Sequence, residues 1–393
     1  MRKRMVLNTK LALVGLGALF LYILACTSFS PDDSKVLYGT FDAKSRHTAV
    51  AVYDRKSGKS ELLFEPSGQD TSRAAILRPQ WIEDGHCFLT AWRLGYNDPE
   101  KAWNLTVLPL NQRGIARTFL LPALGEEGLI SFELLPLPVV GSSLFLNCES
   151  NGLCRLDLVT GEMHRLTNQQ ALHLFASPDN DRLFYLRRVD ETNLSVECGL
   201  LNAETFARTP LFQIKDKNVS ALSLALDRDA KRLAYQTEDE KEPIVRLLEA
   251  GQPARTLSLA SIGQNTQLRI RHFSPSHDIL YACFSEIAKE TNASFGFVEI
   301  PLNGSPIRKT TLISDVEHFK EAKEMEFYAF QIDLSHDGKT LAVDSFWLAS
   351  LNPSLRAEDC ALFLVDLTDA QRKVTKVLIP RPPEEERSSP NAK

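Results

Sequence analysis

The feature that most constrains this 393-residue chain is a polar turn that recurs along it. Four segments align on a Ser or Asp followed six residues later by Leu: SPDNDRLFY from 177, DRDAKRLAY from 227, SPSHDILYA from 274 and SHDGKTLAV from 335. Weaker copies are IEDGHCFLT from 82 and PVVGSSLFL from 138. In each copy the turn separates two apolar strands. Upstream of the good copies, Leu174 and Ala176, Leu224 and Leu226, and Ile332 and Leu334 share one face by alternation. Downstream of each copy lies a second hairpin, clearest in RLDLVTGEMHRLT from 155, where Thr160-Gly161 makes the bend. Successive anchors stand 39 to 61 residues apart. Four antiparallel strands per ~50 residues, repeated in a ring, predict an all-β chain folded as a β-propeller. The expected count is seven blades, with six as the alternative, because the first blade opens at VLYGTF (residue 36) and lacks one strand. The expected organisation is a leader over 1–25, a short tether over 26–35, the propeller over 36–379 and a disordered tail over 380–393.

At these turns the chain resembles the TolB-type β-propeller repeat, whose mark is a Ser-Pro-Asp-Gly-Lys-like turn followed by Leu-Ala. SHDGKTLAV matches it best, and SPDNDRLFY and SPSHDILYA match in part. The resemblance spans about residues 36–379. It implies the fold strongly and an activity hardly at all, since that family serves in binding, in scaffolding and as the lid of peptidases. The propeller is expected to stand alone, without the α/β domain that precedes it in TolB or the hydrolase domain of prolyl-peptidase relatives. No G-x-S-x-G motif occurs.

Arg2, Lys3, Arg4 and Lys10 precede fifteen apolar or small residues, Leu11 to Ala25. Such a helix spans about 22 Å at 1.5 Å per residue, short of a ~30 Å hydrocarbon core. It fits the apolar region of a secretory signal. The run ends in Ile23-Leu24-Ala25-Cys26, which resembles a bacterial lipobox, with Leu24 larger than the usual residue there. The resemblance implies cleavage before Cys26 and a diacylglycerol on its thiol. Thr27, in place of the retention Asp, implies the outer membrane. An uncleaved signal anchor and ordinary cleavage are the alternatives, and all three export the chain. The leader contains no acid, so residues 26–393 hold 41 basic against 50 acidic residues. An acidic body excludes nucleic acid as a partner, because phosphate binding needs clustered cations.

Six cysteines remain beyond Cys26, none in a C-x-x-C pair. In LNCESNGLCRL (146–156) a three-residue loop, Ser150-Asn151-Gly152, would set Cys148 opposite Cys154 at disulfide distance. A cross-strand disulfide is expected there, with two buried thiols as the alternative. Cys87, Cys198, Cys283 and Cys360 admit three pairings and none is preferred.

Of the eight histidines, His86, His277 and His336 occupy anchor turns and read as solvated turn residues. His173, His272, Gln331 and Asp333 fall on innermost strands at matching heights. His173, His272 and Asp333 could line a metal or small-ligand site in the channel. Hydrogen-bonded histidines wedged between blades are the stronger expectation, so no metal, cofactor or catalytic residue is assigned. Phosphate-binding glycine loops and an EF-hand Asp series do not occur. The four N-x-[ST] triplets, at Asn104, Asn193, Asn218 and Asn292, read as chance matches.

In a four-stranded meander the first and third turns of every blade share one rim. The middle loops and interblade links share the other. The long segments Arg93–Ala102, Ser285–Ala293, Phe346–Asp359 and Ser314–Glu324 all belong to that second rim. Long loops in compact domains tend to carry function. Trp92, Arg93, Tyr96, Trp103 and Trp347 lie in or beside them and are the expected interface anchors, unless the aromatics cap the core below. The sequence thus predicts an exported, lipid-anchored propeller that binds an envelope protein or polymer, such as peptidoglycan or a sugar. A propeller hydrolase or lyase with its site at the channel mouth is the alternative.

Overall fold

The computed structural model describes residues 27–378, apart from 43–46, 66–73, 83–86, 95–103, 110–116, 122–137, 149–151, 168–172, 178–180, 191–194, 217–218, 238–243, 264–265, 290–291, 317–330 and 346–360. The strands form seven four-stranded antiparallel sheets, each from a contiguous stretch of chain. Blade 1 comprises β1 (Thr27–Phe29), β2 (Lys35–Asp42), β3 (His47–Asp54) and β4 (Lys59–Phe64). Blade 2 comprises β5 (Ala74–Ile82), β6 (Cys87–Leu94), β7 (Asn104–Pro109) and β8 (Arg117–Leu120). Blade 3 comprises β9 (Val139–Val140), β10 (Ser143–Cys148), β11 (Gly152–Asp157) and β12 (Met163–Thr167). Blade 4 comprises β13 (His173–Ala176), β14 (Leu183–Asp190), β15 (Ser195–Leu201) and β16 (Arg208–Ile214). Blade 5 comprises β17 (Val219–Leu226), β18 (Arg232–Thr237), β19 (Ile244–Glu249) and β20 (Arg255–Ser258). Blade 6 comprises β21 (Thr266–Phe273), β22 (Ile279–Lys289), β23 (Asn292–Pro301) and β24 (Arg308–Val316). Blade 7 comprises β25 (Gln331–Leu334), β26 (Thr340–Asp344), β27 (Leu362–Asp366) and β28 (Val374–Val377).

Seven blades therefore stand, and the strand missing from the sequence reading of blade 1 is β1, inside the segment read as a tether. β1 runs straight into a turn, SPDDSKV from 30, that is a further copy of the anchor. Val36 holds the position that Leu holds in the other copies, which hid it.

The anchor residue is buried in all five described copies: Ser30, Ser177, Asp227, Ser274 and Ser335. Its side-chain oxygen accepts the N–H of the residue five positions on, at 2.9 Å from Lys35, 3.1 Å from Arg182, 3.0 Å from Arg232, 3.1 Å from Ile279 and 2.9 Å from Thr340. A small polar residue is needed there because the tight turn leaves those donors without a ladder partner. Three residues after the anchor the backbone turns left-handed, at Asp33 (φ 57°), Ala230 (φ 59°), His277 (φ 61°) and Gly338 (φ 69°). Glycine adopts that conformation freely and the other three do so at a steric cost.

Apolar faces of adjacent blades interlock around the ring. One cluster runs from Phe295 and Phe297 of blade 6, through Leu341 and Val343 of blade 7, to Phe29, Val36 and Tyr38 of blade 1. Strands pack closely where the outermost strand slips register. Gly199 and Gly296 sit at such slips on the third strands of blades 4 and 6. A Cβ on Gly199 would meet Thr209 O at 2.5 Å and the Tyr185 ring at 2.9 Å, and one on Gly296 would collide with Thr310 O and the Phe284 ring. Only glycine lets the aromatic side chain lie beneath the bulge.

Two expectations are corrected by register. The blade 3 hairpin turns one residue earlier than expected, so Cys148 pairs with Gly152, and Cys154 pairs with Leu146. Gly152 does take the left-handed conformation (φ 67°). The two cysteines become diagonal neighbours held as buried free thiols, not opposed partners in a disulfide. Burial and a hydrogen bond with Cys154 push the Cys148 thiol up to about 12. Likewise Ser285–Ala293 is no long loop. Ser285 pairs with Phe295, Glu286 with Ser294, Ile287 with Ala293 and Lys289 with Asn292, so β22 and β23 continue the ladder almost to their junction.

Candidate functional site

The innermost strands carry the channel candidates to different places. His272 of β21 and Asp333 of β25 come together, with His272 Nε2 3.8 Å from Asp333 Oδ1. His272 Nε2 also lies 2.9 Å from Ile332 O across the blade 6–7 junction. Asp333 Oδ2 accepts the N–H of Phe29, at 3.0 Å, across the blade 7–1 junction. Its other oxygen accepts from Leu334 N–H at 3.0 Å. His173 begins β13, buried in blade 4, two blades away from His272. Gln331 faces Asp344 in register, and its side chain lies outside the described residues. Among the described residues no three His, Cys, Asp or Glu side chains converge to hold a metal ion. The possible trio of His173, His272 and Asp333 is thus a pair plus a distant histidine.

Both members of the pair keep about a quarter of their side-chain surface exposed, 21% for His272 and 26% for Asp333. Protein nonetheless surrounds them on the blade side. Burial pushes His272 down and Asp333 up, each toward its neutral form, against their mutual attraction. The arrangement stitches the innermost strands of blades 6, 7 and 1.

The histidines of the anchor turns are blade ties, where solvated residues were expected. His336 donates its backbone N–H to Asp33 Oδ1 at 2.9 Å, its ring Nδ1 lies 2.9 Å from the same atom, and Asp337 N–H reaches Asp33 Oδ2 at 3.0 Å. Arg55 completes that junction, donating to Asp33 O at 2.7 Å and Thr340 Oγ1 at 2.6 Å. His277 Nδ1 lies 3.3 Å from the buried Asp227 carboxylate of blade 5, while Arg232 donates to His277 O at 2.5 Å. Arg182 donates in the same way to Arg228 O. His86 lies outside the described residues. An outer girdle repeats the idea on the same rim. Arg117, Arg255 and Arg308 each start an outermost strand and donate to the next blade, at Val159 O (2.7 Å), Leu302 O (2.8 Å) and Ala370 O (2.8 Å). Arg372 reaches back to the buried Glu299 of blade 6 with two bonds, at 2.8 and 3.0 Å. Sequence reasoning missed Phe29, Asp33 and Arg55. For Phe29 and Asp33 the signal was the SPDDSKV turn, which marks its upstream residues as an innermost strand.

On the opposite rim, Trp92 and Arg93 lie near the end of β6, paired with Ile76 and Ala75 of β5. Their side chains, and Tyr96, Trp103 and Trp347 altogether, lie outside the described residues, as does Cys26. Ser314–Val316 belongs to β24 and not to a loop. Among the described residues no helix is long and apolar enough to cross a membrane.

A ring of seven contiguous four-stranded blades with polar turns on one rim defines a seven-bladed β-propeller. No protein-family model matches the chain, and no curated protein matches it. Solved structures do. The complex of KlAtg21 with the coiled coil of AgAtg16 aligns at a TM-score of 0.54 and 11% identity, over 90% of this chain and 99% of that one. TolB from Acinetobacter baumannii aligns at 0.45 and 14% identity, over 73% of this chain, and this chain spans 65% of the length of that one. An oligogalacturonate lyase in complex with manganese aligns at 0.42 and 13% identity, over 91% and 77%. The likeness extends to the propeller fold.

Proposed function

We propose that the chain is an exported, membrane-anchored propeller that binds a component of the bacterial cell envelope through its long-loop rim. The basic leader, the apolar run and Cys26 support export and anchorage. The observation that carries binding over catalysis is the use of the channel pair: His272 and Asp333 bond Ile332 O and Phe29 N–H across two junctions. An acid and a base engaged in holding three blades together suit a rigid platform. The face of that platform is the rim bearing Trp92, Arg93, Tyr96, Trp103 and Trp347, with aromatic and Arg anchors of the kind that dominate interfaces.

Affinity capture from envelope extract with the detergent-solubilised full chain tests this. Shortening 95–102 or 347–359 should abolish capture and leave the melting temperature nearly unchanged. Single Ala substitutions of Trp92, Tyr96, Trp103 and Trp347 separate the roles, since an interface anchor loses ~2 kcal/mol of binding and a core aromatic loses ~3–5 kcal/mol of stability. Asp333→Asn should lower stability and preserve capture. Lost capture in a stable, folded Asp333→Asn chain would move the site into the channel. Intact mass of the wild type should show an acyl shift that Cys26→Ala removes, and an unmodified full-length chain would indicate the uncleaved anchor.

A further inference from the structure

The ring begins one residue after Cys26. Thr27 already pairs with Tyr38, Ser28 with Leu37 and Phe29 with Val36. β1 is held from both sides as well: Trp81 Nε1 of blade 2 donates to Ser28 O at 2.8 Å, and Phe29 N–H donates to Asp333 of blade 7. Phe29 is buried in the core. One residue of chain reaches at most about 3.6 Å. Anything bonded to residue 26 is therefore kept within a few ångströms of the innermost strand, with no tether between.

The direction of β1 says which rim this is. β1 runs toward the Ser30 anchor turn, so Thr27 marks the opposite end, the channel mouth on the long-loop rim. The 26 residues before it carry four cations, no acid and the apolar stretch 11–25. We propose that the envelope component met by the long-loop rim is the lipid bilayer that holds this leader, so that this rim docks on it with the channel mouth toward the headgroups and the anchor-turn rim facing away. The proposal rests on the membrane anchor argued above, and it holds for both forms of that anchor. A lipid on Cys26 and an uncleaved span ending near Ala25 both place the membrane at the same point of the ring. Leu120 and Leu378 are the two most exposed large apolar side chains among the described residues, at 71% and 55%, and Val189 is 46% exposed. All three stand at strand ends on this rim, where an interfacial lipid layer would cover them. The anchor-turn rim also exposes Val159, Met163 and Val374, so it is the exit of the chain that selects the face.

The test places single cysteines on either rim of the full-length chain: Leu120→Cys and Leu378→Cys against Val159→Cys and Val374→Cys. Membranes carrying each variant are treated with a bulky polyethylene-glycol maleimide before and after detergent solubilisation, over the wild-type background. The long-loop positions should label several-fold more slowly in membranes than in detergent, and the anchor-rim positions equally in both. Inserting a Gly/Ser linker of about 20 residues between Cys26 and Thr27, with a root-mean-square reach of roughly 25 Å, should abolish the protection while the chain stays membrane-bound. Equal labelling of both rims in membrane-bound single-cysteine variants without the linker overturns the docking and leaves the anchor standing. A chain recovered only in the soluble fraction overturns the anchor and the docking together. Purified chain in vesicles of phosphatidylethanolamine and phosphatidylglycerol supplies the last arm. Protection in native membranes but not in these vesicles would assign the rim to a protein partner and overturn the lipid assignment.

Discussion

The two rims of this propeller are built on different principles. On the anchor-turn rim a short polar turn closes each described anchor copy with the same bond from residue five to residue zero. The side chains of that rim then reach sideways: Asp33 to His336, His277 to Asp227, Arg232 to His277 O, and Arg117, Arg255 and Arg308 to the outer turns of the next blade. On the long-loop rim the described strand ends expose Leu120, Val189 and Leu378, and β1 starts there at Thr27. One rim holds the blades to each other and the other is where the chain varies in length. The repeat is legible in the sequence where neighbouring blades depend on it, and fades on the rim where segment lengths differ from blade to blade.

That division can be broken by mutation, beginning with the closure under the anchor rim. Phe29→Ala empties a fully packed position between blades 1, 6 and 7 and should cost ~3–5 kcal/mol in chemical denaturation. A body beginning at residue 30 should show at least that loss. Asp33→Ala removes the acceptor for two backbone N–H groups and the partner of the His336 ring, for roughly 2 kcal/mol. Replacing Ala230 by Gly tests the turn itself. Relief of the left-handed strain at φ 59° should raise stability by up to ~1 kcal/mol, offset in part by the added freedom of the unfolded chain. If Ala230→Gly destabilises, the strain argument for these turns is wrong.

Acid should act on the same rim. Hydrogen bonds from the Ser30 and Ser34 hydroxyls and the Ser34 N–H hold the Asp32 carboxyl down at about 2, from an ordinary 3.8. A value depressed in the fold contributes stability that is present above the ordinary value and lost as pH falls through about 2. Denaturation midpoints should therefore drop between those limits, and Asp32→Asn should flatten this part of the profile. The smallest effects belong to the other rim. Leu120→Ser and Leu378→Ser should shift stability by no more than about 0.5 kcal/mol. A larger loss from either would mean that the long-loop rim also carries the fold.

The blade repeat, the seven blades and the positions of the anchor turns were readable from the chain because they are local. Strand alternation and a bond between residues five apart depend on neighbours in sequence, so SHDGKTLAV and SPSHDILYA announce themselves. The notion that His272 is wedged between blades was readable for the same reason, since its place on an innermost strand follows from its distance to Ser274. What only the tertiary structure decided is who meets whom across the junctions. Asp33 and His336 are 303 residues apart, and nothing in either turn names the other. Register was also decided there: a one-residue shift of the blade 3 turn took Cys148 from Cys154 to Gly152, and pairing rather than composition made Ser285–Ala293 strand instead of loop. The physical reason is that a period-two pattern specifies which face a side chain takes but not which partner it faces. Within a blade that partner is set by where the hairpin turns, as in blade 3. Between blades it is set when the ring closes, by the packing of Phe29 and its neighbours between the first blade and the last.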